Sequence, residues 1–329
     1  MNVKRAIMVV LSLSITAVAQ KPAIVASFLP AHGGHHERME KMFEEYVLPH
    51  VDAVMERYDW SELEPSQGNY DFSQMDADIA HWQSKGKKTA LIISLVSDRI
   101  DERFTNTATP DWVMSRVPTE TCEHIAGHKI PVVYDSKTMA LTQPFILAVL
   151  KHLDTKAPWI LYDRTGFWHG GENSVECKKN QPIPTVVKYM RAMAEFVHEN
   201  HPDGTRFVSS CSAWNTTDYP DQLCKIFAKD GIGIGIQMLS AQDKVNYQSG
   251  RPCTGNWCEN FKAHPEVYKY LQPEVRQPPE NLLEYVPFAT SLGVNAIELR
   301  LSDLTIAYYP KNPNYAEFGE RYRAILGKN

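Results

Sequence analysis

The chain has no Cys-x-x-Cys pair, no histidines at zinc-ligand spacing beside its cysteines, no G-x-S-x-G turn and no basic cluster. The first two absences exclude a zinc site of the usual cysteine–histidine kind. The third removes the nucleophile turn of an α/β-hydrolase esterase. The fourth, with a formal net charge of -5, argues against nucleic acid as a partner. No Gly-rich phosphate turn follows the first strand-like segment, and no low-complexity linker divides the chain. Downstream of residue 18 nothing is apolar enough to span a bilayer. His32, His35 and His36 in "PAHGGHHER" lack a carboxylate at ligand spacing, so neither a metal nor a cofactor is expected.

What is there begins with Lys4 and Arg5 ahead of an apolar run, Ala6 to Val18, and a small-x-small site at Ala17-Val18-Ala19. This is the layout of a secretory signal peptide over residues 1–19, with the mature chain starting at Gln20. A membrane anchor is the alternative, but the run is short for one and Pro22 follows closely. The expected location is therefore secreted, in an oxidising compartment. All six cysteines, Cys122, Cys177, Cys211, Cys224, Cys253 and Cys258, fall after that segment, and an even count there suggests disulfides. Asn215-Thr216-Thr217 is a glycosylation sequon, meaningful in a eukaryotic host.

Short β-branched runs alternate with amphipathic stretches along the chain. The strand candidates are Ala23–Leu29, Val51–Tyr58, Thr89–Leu95, Trp159–Asp163, Arg206–Ser210, Gly231–Met238, Val267–Gln272 and Val294–Leu299. The helix candidates are Glu37–Tyr46, Met75–Lys85, Thr142–Leu153, Pro184–Glu199, Asp221–Ala228, Pro279–Leu292 and Asn314–Leu326. Alternation of this kind implies a parallel sheet, and eight repeats imply an α/β fold of the single (β/α)8 barrel type over residues 20–329. "GIGIGIQ" mimics a dinucleotide-binding turn, yet it comes sixth and no helix start is evident after it, so it reads as a tightly packed barrel strand. The connection from Val96 to Pro158 is long, and a connection of that length at the C-terminal face of a barrel is expected to serve function.

The segment after the second strand reads Trp60-x-x-Leu63-Glu64-Pro65-x-x-Gly68-x-Tyr70-Asp71-Phe72, then Asp76. "TPDW" at Thr109–Trp112, "PVVYD" at Pro131–Asp135 and "APWILYDRTGFWHGGENS" follow. This succession resembles the clan A glycoside hydrolases, closest to the beta-galactosidase type of family 42, over roughly Val51 to Ser174. The resemblance implies a (β/α)8 barrel that cleaves glycosidic bonds with two carboxyl groups and retention of configuration. It implies an acid/base at Glu172, after the fourth strand, and a second carboxylate at the end of the seventh strand. The clan commonly has Asn immediately before its acid/base. Here Gly171 precedes Glu172 and Asn173 follows.

The residues support that chemistry on their own terms. Glycoside cleavage needs one group to protonate the leaving oxygen and another to attack or activate water. Glu172 lies among Gly166, Gly170 and Gly171, which permit close backbone approach to a ligand; its alternative is a solvated carboxylate or a salt bridge with Arg164. Trp168 and His169 offer a ring face and a hydrogen bond. The second carboxylate is Glu274, with Arg276 close by, or Glu298, which alternation points away from Ile297 and Leu299 and toward the barrel axis if those two face the helices. Glu298 has the alternative of pairing with Arg57 or Arg300. Arg57 or Tyr58 is a candidate to hydrogen-bond the nucleophile, or both serve structural pairing. Trp60 is either a sugar platform or a packing residue, and Glu64 serves to fix Trp60 and the start of the next helix.

Trp112, Tyr162, Trp214 and Trp257 complete a set of rings where loops should meet, as a cleft for oligo- or polysaccharide would need. Disulfides pairing Cys253 with Cys258, Cys122 with Cys177 and Cys211 with Cys224 would hold such a cleft in order. The reading is thus a secreted glycoside hydrolase. A carbohydrate-binding barrel without catalysis is the alternative; it would keep the rings and lose the paired acids.

Overall fold

The computed structural model describes residues 22–27, 43–96, 108–121, 129–167, 183–200, 208–210, 233–239, 241–251, 268–273 and 286–300. The signal-peptide segment, the cysteines, the sequon and the helices expected at Asp221–Ala228 and Asn314–Leu326 lie outside these residues.

Eight parallel strands make one sheet: β1 (Ala23–Ser27), β2 (Ala53–Asp59), β3 (Lys88–Ser94), β4 (Ile160–Phe167), β5 (Val208–Ser210), β6 (Gly233–Leu239), β7 (Tyr268–Pro273) and β8 (Ala296–Arg300). All eight overlap the expected segments. Their order is β4-β3-β2-β1-β8-β7-β6-β5. The first strand is laddered to the last, with Val25 opposite Glu298, and to the second, with Val25 opposite Ala53. That is the cyclic neighbour order of a (β/α)8 barrel. The ladders join every neighbouring pair but β4 and β5, whose Cα atoms approach within 8 Å.

The sheet has two apolar faces, as a parallel sheet covered on both sides requires. On the outer face Ile24, Val54, Leu91, Ile93, Ile160, Ile297 and Leu299 join one cluster with side chains from the helices. On the inner face Val25, Ala53, Met55, Ala90, Ile92, Tyr162 and Ala296, all strand residues, form a second. The period of two along each strand explains the division. Small residues at Ala53, Ala90 and Ala296 leave room within the curl for larger ones such as Met55 and Tyr162.

The helices follow their apolar spacing. In α1 (Ser73–Ser84) Met75, Ile79 and Trp82 are buried, and in α3 (Ile183–Asn200) Tyr189, Met193 and Val197. Asp71 accepts from Ser73 N (3.0 Å) and Oγ (2.6 Å) at the entry to α1, and these bonds hold its carboxyl below the usual carboxylate range. Of the segment expected as a helix at Pro279–Leu292, residues 286–291 are helical.

Three elements differ from the expectation. The second long helix, α2 (Ser136–Asp154), begins six residues before Thr142. Pro144 made that neighbourhood read as a first turn, where proline is tolerated. The true start is Asp135, whose Oδ1 accepts from Lys137 N at 2.9 Å, and Pro144 sits inside the helix on its exposed side. After β6 a helix does follow, α4 (Ala241–Ser249), ending at Gly250 with φ +72°. Its sequence is mostly polar and lacks a clear apolar stripe, which hid it. Within the long third connection Thr119–Thr121 and Lys129–Pro131 pair as a short antiparallel hairpin.

Replacing the exposed Pro144 by alanine restores a backbone donor and removes the ring clash with the preceding turn. Pro144→Ala is expected to stabilise the protein by about 1–3 kcal/mol, read as a raised midpoint of thermal unfolding; an unchanged or lowered midpoint contradicts this account of α2.

Candidate active site

Because the strands are parallel, their C-terminal ends share one rim, where a barrel builds its site. At β2 the chain leaves through Asp59 into a short helical turn, Trp60–Leu63. Asp59 N donates to Glu62 Oε2 at 2.8 Å, which closes the start of the turn. Glu64 follows, and it is buried. Its Oε2 accepts the indole N–H of Trp60 at 2.7 Å, and its Oε1 accepts Gly68 N at 2.8 Å. Both carboxylate oxygens are therefore engaged inside the motif, as a buried carboxylate requires. Gly68 has φ +74°, in the left-handed region, where a side chain would be strained.

The third connection is fastened to this turn. Ala108 O accepts from Ser61 N at 2.8 Å, and Thr109 Oγ1 donates to Leu95 O at 2.7 Å. Trp112 Nε1 donates to Glu64 O at 3.1 Å, and Arg116 donates to Gln67 Oε1 while its guanidinium lies 5.5 Å from the Trp112 ring centre. Trp60 meets Trp112 edge to face at 6.1 Å and stacks on Phe145 of α2 at 5.1 Å. Ala108 holds φ 59°, an uncommon conformation for a residue with a Cβ, and it is fully buried. The exits of β2 and β3 thus form one packed wall of the rim. Outside that wall, Asp76 joins His152 Nε2 (2.8 Å) and Lys156 Nζ (3.1 Å), and His152 stacks on Phe72 at 4.2 Å.

These placements bear on two readings left open by the sequence. Tyr58 belongs to the outer cluster, and its hydroxyl donates to Asp78 of α1 at 2.6 Å, so it faces the helices and not the site. Burial first, then the charge of Glu56 and the bond to Asp78, raise its phenol far above the ordinary tyrosine range. Trp60 is 1 % exposed, so the packing reading holds and no ring face is offered to sugar. Indole and phenol both look like sugar ligands in a sequence; which way they turn is decided by the neighbours they meet.

Arg57 lies between Glu56, which accepts from Trp82 of α1 at 2.6 Å, and Tyr58, which is bonded to Asp78. Both flanking residues face outward, so alternation places Arg57 on the inner face above Met55. Glu298 is 2 % exposed and its neighbours Ile297 and Leu299 are in the outer cluster, which places it on the inner face with Ala296. Asp59 and Ser94 are register partners at the ends of β2 and β3, both buried at the rim. The sequence reading passed over them; alternation counted upward from Met55 and Ile92 is the signal that reaches them. Glu172, Glu274, Trp168, His169, Asn173, Trp214 and Trp257 lie outside the described residues. Among the described residues no helix is long and apolar enough to cross a membrane.

Comparison with known proteins gives the same reading by an independent route. Residues 27–148 match the model of glycoside hydrolase family 42, described as beta-galactosidase. The catalytic domain of a beta-amylase from Paenibacillus polymyxa is 12 % identical with a TM-score of 0.63, covering 95 % of this chain and 100 % of its own. Xylanase 10B from Thermotoga petrophila, solved with xylobiose, is 13 % identical with a TM-score of 0.57, covering 94 % of each chain. Xylanase B from Clostridium stercorarium F9 is 16 % identical with a TM-score of 0.54, covering 93 % of this chain and 96 % of its own. No curated protein matches the chain. The resemblance to clan A glycoside hydrolases and the (β/α)8 fold both stand, with no single family assigned.

Trp60 and Glu64 carry the wall. Trp60→Ala is expected to cost about 3–5 kcal/mol as a core truncation, and Glu64→Ala about 1–3 kcal/mol, chiefly by leaving the buried Trp60 indole N–H without an acceptor. Urea unfolding measures both. A Trp60→Ala protein as stable as the parent, with only glycan binding lost, would return Trp60 to the platform reading.

Proposed function

We propose that the protein is a secreted glycoside hydrolase that opens a glycosidic bond between Glu172 and Glu274. Glu172 protonates the leaving oxygen as the bond to the anomeric carbon breaks. Glu274 attacks that carbon from the opposite face. Water then displaces Glu274 while Glu172 takes the water's proton, so configuration is retained.

The observation that carries this reading is the family 42 match over residues 27–148, set on a sheet whose strand order is that of a barrel. The sequence order of the two acids supports it. Glu172 follows Phe167, where β4 ends, and Glu274 follows Pro273, where β7 ends. Parallel strands bring both exits to the same rim. Among the described residues, Glu64 is held in the wall, Glu298 lies below the strand ends and Asp59 ends β2 beside Ser94. The substrate class is an oligo- or polysaccharide. The neighbouring structures, named as an amylase and xylanases, act on different polysaccharides by their names, so the fold leaves the sugar open. Secretion rests on the layout of residues 1–19, and the barrel occupies the remainder as one domain.

Purified protein, screened against a panel of polysaccharides and aryl glycosides, is expected to release sugar whose first-formed anomer by NMR matches the substrate's. Glu172→Gln and Glu274→Gln should each lower kcat by 1,000-fold or more (an order-of-magnitude expectation for removal of an acid or a nucleophile) with unfolding midpoints near the parent's. A Glu172→Gln variant as fast as the parent removes the acid/base assignment. A parent that binds glycans and cleaves none makes the protein a carbohydrate-binding barrel.

A further inference from the structure

The wall built by the exits of β2 and β3 carries an arginine on its solvent side. Arg116 follows the helical turn Asp111–Met114 of the third connection, and its backbone N–H donates to Val113 O at 2.8 Å. Its side chain is exposed, yet it is held. The guanidinium lies 5.5 Å from the centre of the Trp112 ring, and its Nη1 donates to Gln67 Oε1 in the turn after β2. The ring beneath is fixed in its turn: Trp112 Nε1 donates to Glu64 O at 3.1 Å, and the buried Trp60 meets Trp112 edge to face. A ring from one connection and an amide from the other therefore set the direction of one cation.

Long exposed side chains ordinarily stay mobile, because holding one costs rotamer entropy. For Arg116 the fold meets that cost before any ligand arrives. A guanidinium has five N–H donors in a planar fork, and the bond to Gln67 uses one edge of it. Among the described residues no carboxylate lies within salt-bridge reach of Arg116, whereas Lys85 has Glu44, Lys156 has Asp76 and Arg191 has Glu195. The wall thus presents a fixed positive charge with donors to spare. Such a fork matches the paired oxygens of a carboxylate or a sulfate ester, and its being held beforehand favours binding. The sequence put Trp112 among the rings of a sugar cleft; in the structure the guanidinium covers its face, so a glycan crossing here meets a cation. We infer that Arg116 binds an anionic group of a glycan, a carboxylate or a sulfate ester, where the chain runs from the mouth over the β2–β3 wall, and that the substrate is an acidic polysaccharide. The substrate class rests on the proposed glycosidase reading; the binding of the anionic group does not.

Affinity electrophoresis tests this with the parent, Arg116→Gln and Arg116→Met. The gels hold polygalacturonate, alginate or a sulfated galactan, each run beside its carboxyl-reduced or desulfated form. At least one acidic polymer is expected to retard the parent more than its neutral counterpart does, and added NaCl should weaken that retardation. Which pair responds tells carboxylate from sulfate. Both variants should lose about two- to five-fold in affinity for that polymer, the size of one exposed charge pair, and keep the parent's affinity for the neutral form. Methionine leaves an apolar stem over Trp112, so an unfolding midpoint of Arg116→Met near the parent's separates lost charge from lost packing. Equal retardation of the parent by every acidic polymer and its neutral form overturns the assignment, and so does an unchanged affinity in Arg116→Met. A loss on acidic and neutral forms alike, with a lowered midpoint, makes Arg116 a structural group and also overturns it. Turnover is read separately. Charge-dependent retardation through Arg116 without cleavage of any polymer keeps the binding site and removes the proposed function; cleavage without a charge preference does the reverse.

Discussion

The structure at the rim depends on one buried carboxylate. Glu64 takes an indole N–H on one oxygen and the amide of Gly68 on the other, while its backbone carbonyl takes the indole of Trp112. A carboxylate out of water needs its lone pairs occupied, and here the donors come from both sides of a tight turn and from the next loop. Satisfying one charge therefore fixes the turn, orients Trp60 into the core and draws the third connection against the second. Trp60 then stacks on Phe145, so α2 is located by the same set of contacts.

The division of the sheet into two faces carries the rest. Outward residues of β2 meet the first helix: Glu56 accepts from Trp82 and Tyr58 donates to Asp78. The same alternation that commits these polar groups to the helix layer commits Arg57 to the inner face. Along β8 it sends Ile297 and Leu299 outward and Glu298 inward. Among the described residues the inner face is apolar, and Arg57, Asp59 and Glu298 are its charged positions.

Much of this was legible in the residues. The eight strands were, because β-branched runs repeat with helical stretches between them and a parallel sheet buries both faces. The part played by Glu64 was too, since a glutamate just before Pro65 and close to Gly68 suits a turn anchor. The start of α2 was misplaced because Pro144 imitates a first turn, and α4 was passed over because a polar helix shows no stripe. Tyr58 and Trp60 were left between a role at the site and packing, and both are packed; a phenol and an indole serve a cleft or a core equally well on paper.

Local spacing, then, determined which segments are strands and which face each strand residue takes, because a period of two or of 3.6 is a property of the chain itself. It also determined that acids follow β4 and β7. Only the tertiary structure decided that β1 lies beside β8, that the exits of β2 and β3 lock into one wall, and that Glu298 sits below the rim. Those facts concern groups far apart in sequence, and their positions are set by ladders, burial and hydrogen-bond partners that exist only once the sheet has curled.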